Sequence, residues 1–179
     1  MKIKKCRICS HKKLSNLFSL GKLNFTGKFT KNLKTSVPKA EVALVMCSKC
    51  KLVQLNQNFN PNYLYGKDYG YRTGINSTMT NHVKNIVQIL TNKLKLKKND
   101  AVLDIASNDG TLLNFYTRNI YTVGIDPLIN KFKSKYKSIN AKIPDFFSHK
   151  SLVDKKINKK FKAITALSMF YDLPNPNQF

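Results

Sequence analysis

The stretch AVLDIASNDGTLLNFY, residues 101–116, decides how this chain is read. A short apolar run reaches Asp104, the small polar cluster Ser107-Asn108-Asp109-Gly110 follows, and a helix-like segment begins at Asp109. Strand, tight loop and helix are the local order of many nucleotide-holding proteins, yet the glycine pattern GxGxxG is missing.

Downstream the signal alternates. YTVGID (121–126) reads as a strand, PLINKFKSKY (127–136) as a helix, INAKI (139–143) as a weak strand and HKSLVDKKI (149–157) as a weak helix. FKAITALSMF (161–170) reads as a buried strand running into a loop. With strand 101–106 and helix 109–117 the order is βαβαβαβ, which predicts a parallel sheet flanked by helices. The first strand is central in such sheets, and ligands enter at the strand C-termini.

The acidic residues fall on that edge. Asp104 lies near the end of the first strand, Asp126 ends the second, and Asp145, in IPDFF, follows the third. A carboxylate after the second strand suits ribose hydroxyls, and one after the third suits an adenine amino group. A further carboxylate at a helix start, Asp109, repels phosphate. The loop therefore suits an adenosine without phosphates and with cationic groups, such as S-adenosylmethionine. The alternative for each aspartate is a turn or a helix cap.

Upstream, the four cysteines form two pairs, Cys6 and Cys9 in CRIC and Cys47 and Cys50 in CSKC. Two such knuckles can complete a tetrahedral four-thiolate site with no open position. That predicts structural zinc, with iron compatible and a redox CxxC as the alternative. Apolar runs at 42–46 and 52–55 predict a β-hairpin carrying the second knuckle, and FTGKFTKNLKTSVPKA (25–40) reads as loop. A module this small needs its metal to fold.

Between the two parts lies NPNYLYGKDYGYRTGINS, rich in Tyr, Gly and Asn. Its tyrosines, Tyr63, Tyr65, Tyr69 and Tyr71, either pack as structure or line a ligand pocket. A helix follows over 77–96, with Ser77 as N-cap and an apolar face of Met79, His82, Val83, Ile86, Ile89, Leu90 and Leu94. The organisation expected is 1–65 zinc module, 66–98 Tyr-rich loop and connecting helix, and 99–179 α/β domain. His11 reads as a surface residue of the knuckle, His82 as packed, and His149 as part of a weak helix.

The chain has 179 residues, 42% of them apolar, and 32 Lys and Arg against 9 Asp and Glu, for a net charge of +23. Such charge favours polyanions, but here lysine is spread along the chain and arginine is scarce, as compositional bias produces. Nucleic-acid binding beyond the non-specific is not expected, while an anionic small substrate is favoured. No apolar run is long enough to span a membrane, and the basic N-terminus lacks an apolar h-region. A cytoplasmic protein is expected.

Taken together, CRIC, MCSKCKLVQL, YGYRTGINSTM, VLDIASNDGTLL, VGIDP, PDFF and ITALSMFYDLPNPNQF, in that order, resemble the class I S-adenosylmethionine-dependent C-methyltransferases that act on nucleotide-linked deoxysugars. The resemblance implies a zinc-ribbon-like module followed by a Rossmann-like class I methyltransferase domain, of which only the first four strands are present. It implies a dTDP-linked 4-keto-deoxysugar as substrate, deprotonated at its third carbon so that an enolate attacks the methyl group. It implies that Asp104, Ala106, Ser107, Asn108, Asp109, Asp126, Pro127, Asp145 and Phe146 surround the cofactor, and that Tyr69 and Tyr71 lie near cofactor and sugar. Ala106 departs from the family's usual glycine and should crowd the loop. The family's Glu-His base region would lie beyond residue 179, so residues 1–179 alone are expected to be a fragment without methyl transfer. Two other readings stay open: a zinc-ribbon nucleic-acid-binding protein, and an RNA methyltransferase, whose Asn/Asp-Pro-Pro-Tyr-like loop is absent from MFYDLPNP.

Overall fold

The computed structural model describes all residues except 28, 29, 33 and 67, three of which fall in the loop expected over 25–40. The chain divides into two units, Met1–Gly70 with Phe170–Phe179, and Tyr71–Met169.

The first unit is built on a three-stranded antiparallel sheet of β1 (Leu14–Asn24), β2 (Lys39–Cys47) and β3 (Val53–Leu55), in that order. The expected hairpin is β2–β3, with Val45 opposite Gln54 and the second cysteine pair in its turn. Strand β1 was not anticipated. Its pairing with β2 slips twice, between Asn16 and Phe18 and between Ser19 and Lys22, so its leucines do not alternate. A two-residue period is the sequence signal for a strand, and slips of this kind erase it. A short helix α1 (Pro61–Tyr65) follows, capped by the Asn60 side chain. Asp172 accepts a hydrogen bond from the Tyr65 hydroxyl, and Asn177 Nδ2 donates to the Ile8 carbonyl at 2.7 Å.

The second unit opens with helix α2 (Ser77–Lys93). Its N-cap is Asn76 rather than Ser77: the Asn76 side chain accepts from the Met79 N–H at 3.1 Å. Val83 and Val87 are the buried residues of α2, whereas His82 and Ile89 are exposed, so the packed face is narrower than expected and excludes the histidine.

Four parallel strands then form one sheet in the order β6 (Ala141–Ile143), β5 (Tyr121–Ile125), β4 (Ala101–Ile105), β7 (Phe161–Thr165). β4, the first in sequence, is central, as expected. Leu103, Ile105, Val123, Ile125 and Ile143 make the core. All five residues of β4 are buried, which is why its sequence is a continuous apolar run up to Asp104.

The connections differ from expectation. The helices expected over 109–117 and 127–136 are single 3₁₀ turns at Leu113–Phe115 and Lys133–Lys135. Leu112, Leu113, Tyr116, Leu128, Ile129, Phe132 and Tyr136 are buried, so the apolar spacing marked the inward face correctly. Side chains compete for the backbone here: Asn114 donates to the Lys135 carbonyl at 2.8 Å and accepts from the Lys137 N–H at 3.2 Å. Segments this short do not recover the cost of helix nucleation. The weak helix is α3 (His149–Asp154), with a capping box on Ser148. β7 is not a buried strand: it pairs only with β4 among the described residues, and its Ile164 is 59% exposed.

Gly124, in the middle of β5, shows how tight this layer is. A Cβ there would lie 2.9 Å from Leu113 Cδ1 and from Ser107 Oγ. Gly124→Ala is expected to cost about 1–3 kcal/mol, read as a lower melting temperature.

Candidate functional site

Two constellations stand out, one in each unit. In the first, the sulfur atoms of Cys6, Cys9, Cys47 and Cys50 all lie within 4.8 Å of one another. Cys6 to Cys50 and Cys9 to Cys47 are each 3.6 Å. Four thiolates at about 2.3 Å from one zinc ion stand about 3.8 Å apart, and a disulfide would need about 2 Å. The donor set fits a tetrahedral, closed zinc site.

The two knuckles are built alike. The N–H groups of Cys6 and Cys47 donate to the carbonyls of His11 and Leu52, both at 2.9 Å. Ser10 and Lys51, each just after the second cysteine, donate back to Cys6 and Cys47 at 3.0 Å and carry φ of 58° and 64°. Burial would raise the Cys6 thiol, but the N–H groups of Cys9 and Ile8, with Gln54 and Cys50, bring it down to about 6. Cys47 is lowered chiefly by the Cys50 N–H. For Cys50 the Leu52 N–H pulls down, but burial and the other three sulfurs outweigh it and push the thiol up to about 12. Crowded sulfurs resist ionising together, and a divalent cation removes that conflict.

Arg7, inside the first knuckle, staples it to β3 and the chain beyond. Its guanidinium donates to Gln54 Oε1 (3.2 Å), the carbonyls of Leu55 (2.8 Å) and Gln57 (2.9 Å), and Asn58 Oδ1 (2.6 Å). The sequence reading missed this residue because its partners lie about 50 positions away.

In the second unit, the loop after β4 carries three left-handed residues, Ala106 (φ 58°), Asn108 (φ 51°) and Gly110 (φ 75°). Ala106 thus stands where the backbone favours glycine. The loop is fixed from all sides. Ser107 N–H donates to the Ile125 carbonyl at 3.2 Å. Tyr136 hydroxyl donates to the Asn108 carbonyl at 2.7 Å, and Ser107 Oγ then donates to the tyrosine at 2.9 Å. Asp126 Oδ2 accepts from Asn108 N–H at 3.0 Å, and its Oδ1 from Leu128 N–H at 2.7 Å.

Asp104, Asp109 and Asp126 are 4%, 2% and 6% exposed. Burial pushes Asp104 up to about 7, against the pull of the Thr165 hydroxyl at 2.6 Å and with a further push from Asp126. Burial also pushes Asp126 up to about 6, against the N–H groups of Leu128 and Asn108, with Asp109 adding to the rise. Asp109 Oδ1 accepts from Thr111 N–H and hydroxyl (3.3 and 2.6 Å), and its Oδ2 from Gly74 N–H at 3.1 Å.

The residues singled out from sequence therefore divide. Asp104, Ser107, Asn108, Asp109 and Asp126 come together at the C-terminal ends of β4 and β5, and Ala106 and Pro127 adjoin them in the chain. Asp145 and Phe146 follow β6 and are exposed, and Asp145 accepts the Phe146 N–H at 2.7 Å. The Tyr71 carbonyl accepts from Asn108 Nδ2 at 3.2 Å, while Tyr69 packs on Tyr65 in the first unit with ring centroids 5.4 Å apart. Thr165, Tyr136 and residues 72–74 were not singled out as site residues; each reaches the loop through tertiary contacts.

Residues 6–65 match the family described as "Putative zinc binding domain". Over 131 residues the chain is 25% identical to the C-methyltransferase NovU of Streptomyces niveus, covering 72% of this chain and 31% of that protein. The chain thus spans less than a third of the length of the curated relative it matches. Together the two matches support a methyltransferase family with an N-terminal zinc-binding domain, in agreement with the motif resemblance.

Two measurements follow from this geometry. Metal analysis should find one zinc per chain, and chelation or Cys47→Ser should melt the first unit; an unchanged circular dichroism spectrum in metal-free protein contradicts the site. Ala106→Gly should stabilise the protein by about 1 kcal/mol, seen as a higher melting temperature.

Proposed function

We propose that the loop at the C-terminal ends of β4 and β5 holds S-adenosylmethionine, and that the protein is a C-methyltransferase acting on a nucleotide-linked keto-deoxysugar. One observation carries this reading. A chain of net charge +23 has only nine acidic residues, and three of them, Asp104, Asp109 and Asp126, are buried together at the C-terminal ends of β4 and β5. Burying carboxylates together is costly unless cations compensate them, and Arg72, 3.8 Å from Asp109 Oδ2, answers only one of the three, so the ligand expected there is cationic. The kinship with a C-methyltransferase supports the same choice.

When bound, S-adenosylmethionine would supply an electrophilic methyl group to a carbon nucleophile. In the substrate class proposed, that nucleophile is the third sugar carbon, deprotonated next to the ketone as an enolate. The chain's own residues bind and orient. Each oxygen of Asp126 already accepts one backbone N–H and keeps a lone pair for a ribose hydroxyl. Asp145, exposed after β6, is suited to an adenine amino group. Asp104 and its neighbours oppose the cofactor's positive charge. Methyl transfer removes the sulfonium charge, so the same carboxylates attract the product less than the donor, which favours release. Tyr71 is proposed to face the sugar side. The many lysines suit the diphosphate of a nucleotide sugar.

The pH dependence has a definite sign. Asp104 and Asp126 are raised in the folded chain, so they stabilise it while protonated and lose that contribution as pH rises from about 4 through 7. A bound cation favours their ionised forms. Affinity for S-adenosylmethionine should therefore rise between pH 5 and pH 8.

Calorimetric titration of the zinc-loaded chain tests the reading. Saturable one-to-one binding of S-adenosylmethionine and S-adenosylhomocysteine is expected, with Asp126→Asn weaker by at least about tenfold, or roughly 1.4 kcal/mol. Absence of binding by folded wild-type protein at any pH in that range would sink it.

A further inference from the structure

Residues 71–75 form a strap over the loop that follows β4. Thr73 N–H donates to Asn108 Oδ1 at 2.9 Å, Gly74 N–H donates to Asp109 Oδ2 at 3.1 Å, and Asn108 Nδ2 donates to the Tyr71 carbonyl at 3.2 Å. The approach is close: a Cβ on Gly74 would lie 2.6 Å from Thr111 Oγ1 and 3.0 Å from Asp109 Oδ2. The strap's backbone is thereby pinned on both sides of Arg72.

Arg72 is the one residue of the strap whose side chain is left with unfinished bonding. Its Nε is buried and has no hydrogen-bond partner. The nearest carboxylate oxygen, Asp109 Oδ2, is 3.8 Å from that nitrogen and already accepts from Gly74. The guanidinium carbon sits 5.9 Å from the centre of the Phe132 ring, and 28% of the side chain remains open to solvent. A guanidinium is a rigid fork of donors that matches a carboxylate in two parallel hydrogen bonds. Held this way beside the loop, it is a donor group waiting for a planar anion.

The charges around it agree with a zwitterion rather than a simple cation. Three carboxylates alone would attract any cation and repel a ligand carboxylate. One arginine set among them adds a place for a negative group. The amino-acid half of S-adenosylmethionine carries both signs, an ammonium and a carboxylate, next to the sulfonium.

We infer that Arg72, positioned by the strap's hydrogen bonds to Asn108 and Asp109, binds the α-carboxylate of the cofactor's amino-acid half. This rests on the cofactor reading above and makes Arg72 a specificity residue: it selects ligands that keep the carboxylate over adenosine thioethers that lack it.

The test is a titration of the full zinc-loaded chain with S-adenosylhomocysteine, its decarboxylated analogue and methylthioadenosine. Wild type should prefer S-adenosylhomocysteine over both by at least tenfold. Arg72→Gln should lose at least tenfold in affinity for S-adenosylhomocysteine and little for the other two, so that the preference collapses. Arg72→Lys should retain part of it. A parallel loss for all three ligands, or no loss for any, overturns the assignment while leaving the cofactor reading intact. Wild type that binds none of them overturns both. If Arg72→Gln does not fold, the wild-type comparison decides: equal affinity for S-adenosylhomocysteine and its decarboxylated analogue overturns the assignment.

Discussion

The burial of Asp109 and Asp126 is the constraint on which the second unit depends. A carboxyl group away from water must have its polar atoms satisfied. Asp126 meets that demand with the N–H groups of Asn108 and Leu128, which fixes the loop after β4 against the chain after β5. Asp109 meets it with Thr111 and with Gly74, thirty-five residues away, which fixes the strap that leads into α2. Two side chains thus join three separate stretches of sequence. The same bonds that satisfy the carboxylates shape the loop, so its geometry and its negative charge have one origin.

The first unit faces a different problem, for which its four-cysteine cluster is built. Its sheet is small, and β1 leaves Leu17, Phe18, Leu20 and Leu23 between 45% and 60% exposed. Its buried apolar residues are chiefly Cys6, Ala43, Val45 and Cys47, too few to hold a fold of this size. Four cysteines placed to share one ion can take the place of a hydrophobic centre, and the Arg7 fork extends the knot to residues 54–58. The two knuckles reach the same backbone geometry from unrelated residues at the strained position, Ser10 and Lys51. What the turn requires is the position of the sulfurs and their N–H donors, and the identity of the residue that follows matters less.

Charge connects the parts to function. With 32 basic and nine acidic residues, the chain presents a cationic exterior. Long-range attraction then draws anionic molecules of many kinds and is screened over about 10 Å in ordinary salt. Under the proposed reading, selection comes from the buried site, where the sign is reversed, and a ligand with an anionic tail and a cationic centre is served by both, at different distances.

How much of this was legible in the chain depends on how local each cause is. The paired cysteines, the hairpin around the second pair, the central position of β4 and the carboxylates at the ends of the parallel strands could be read directly, because each is a pattern within a few residues. The glycine-favouring position of Ala106 was also legible, through the motif it departs from, and its φ of 58° gives the reason. The helices expected at 109–117 and 127–136 were not: their apolar spacing is helical, but Asn114 and Asp126 take backbone groups that a helix would use. Strand β1 was hidden by its two register slips, and the exposure of His82 by the narrowness of the face that α2 packs. The strap over the loop, the Thr165 and Tyr136 contacts and the unfinished bonding of Arg72 were decided only by tertiary structure. Spacing along the chain determines what a segment can form, whereas the partner of a buried polar group is whichever group the fold brings within about 3 Å.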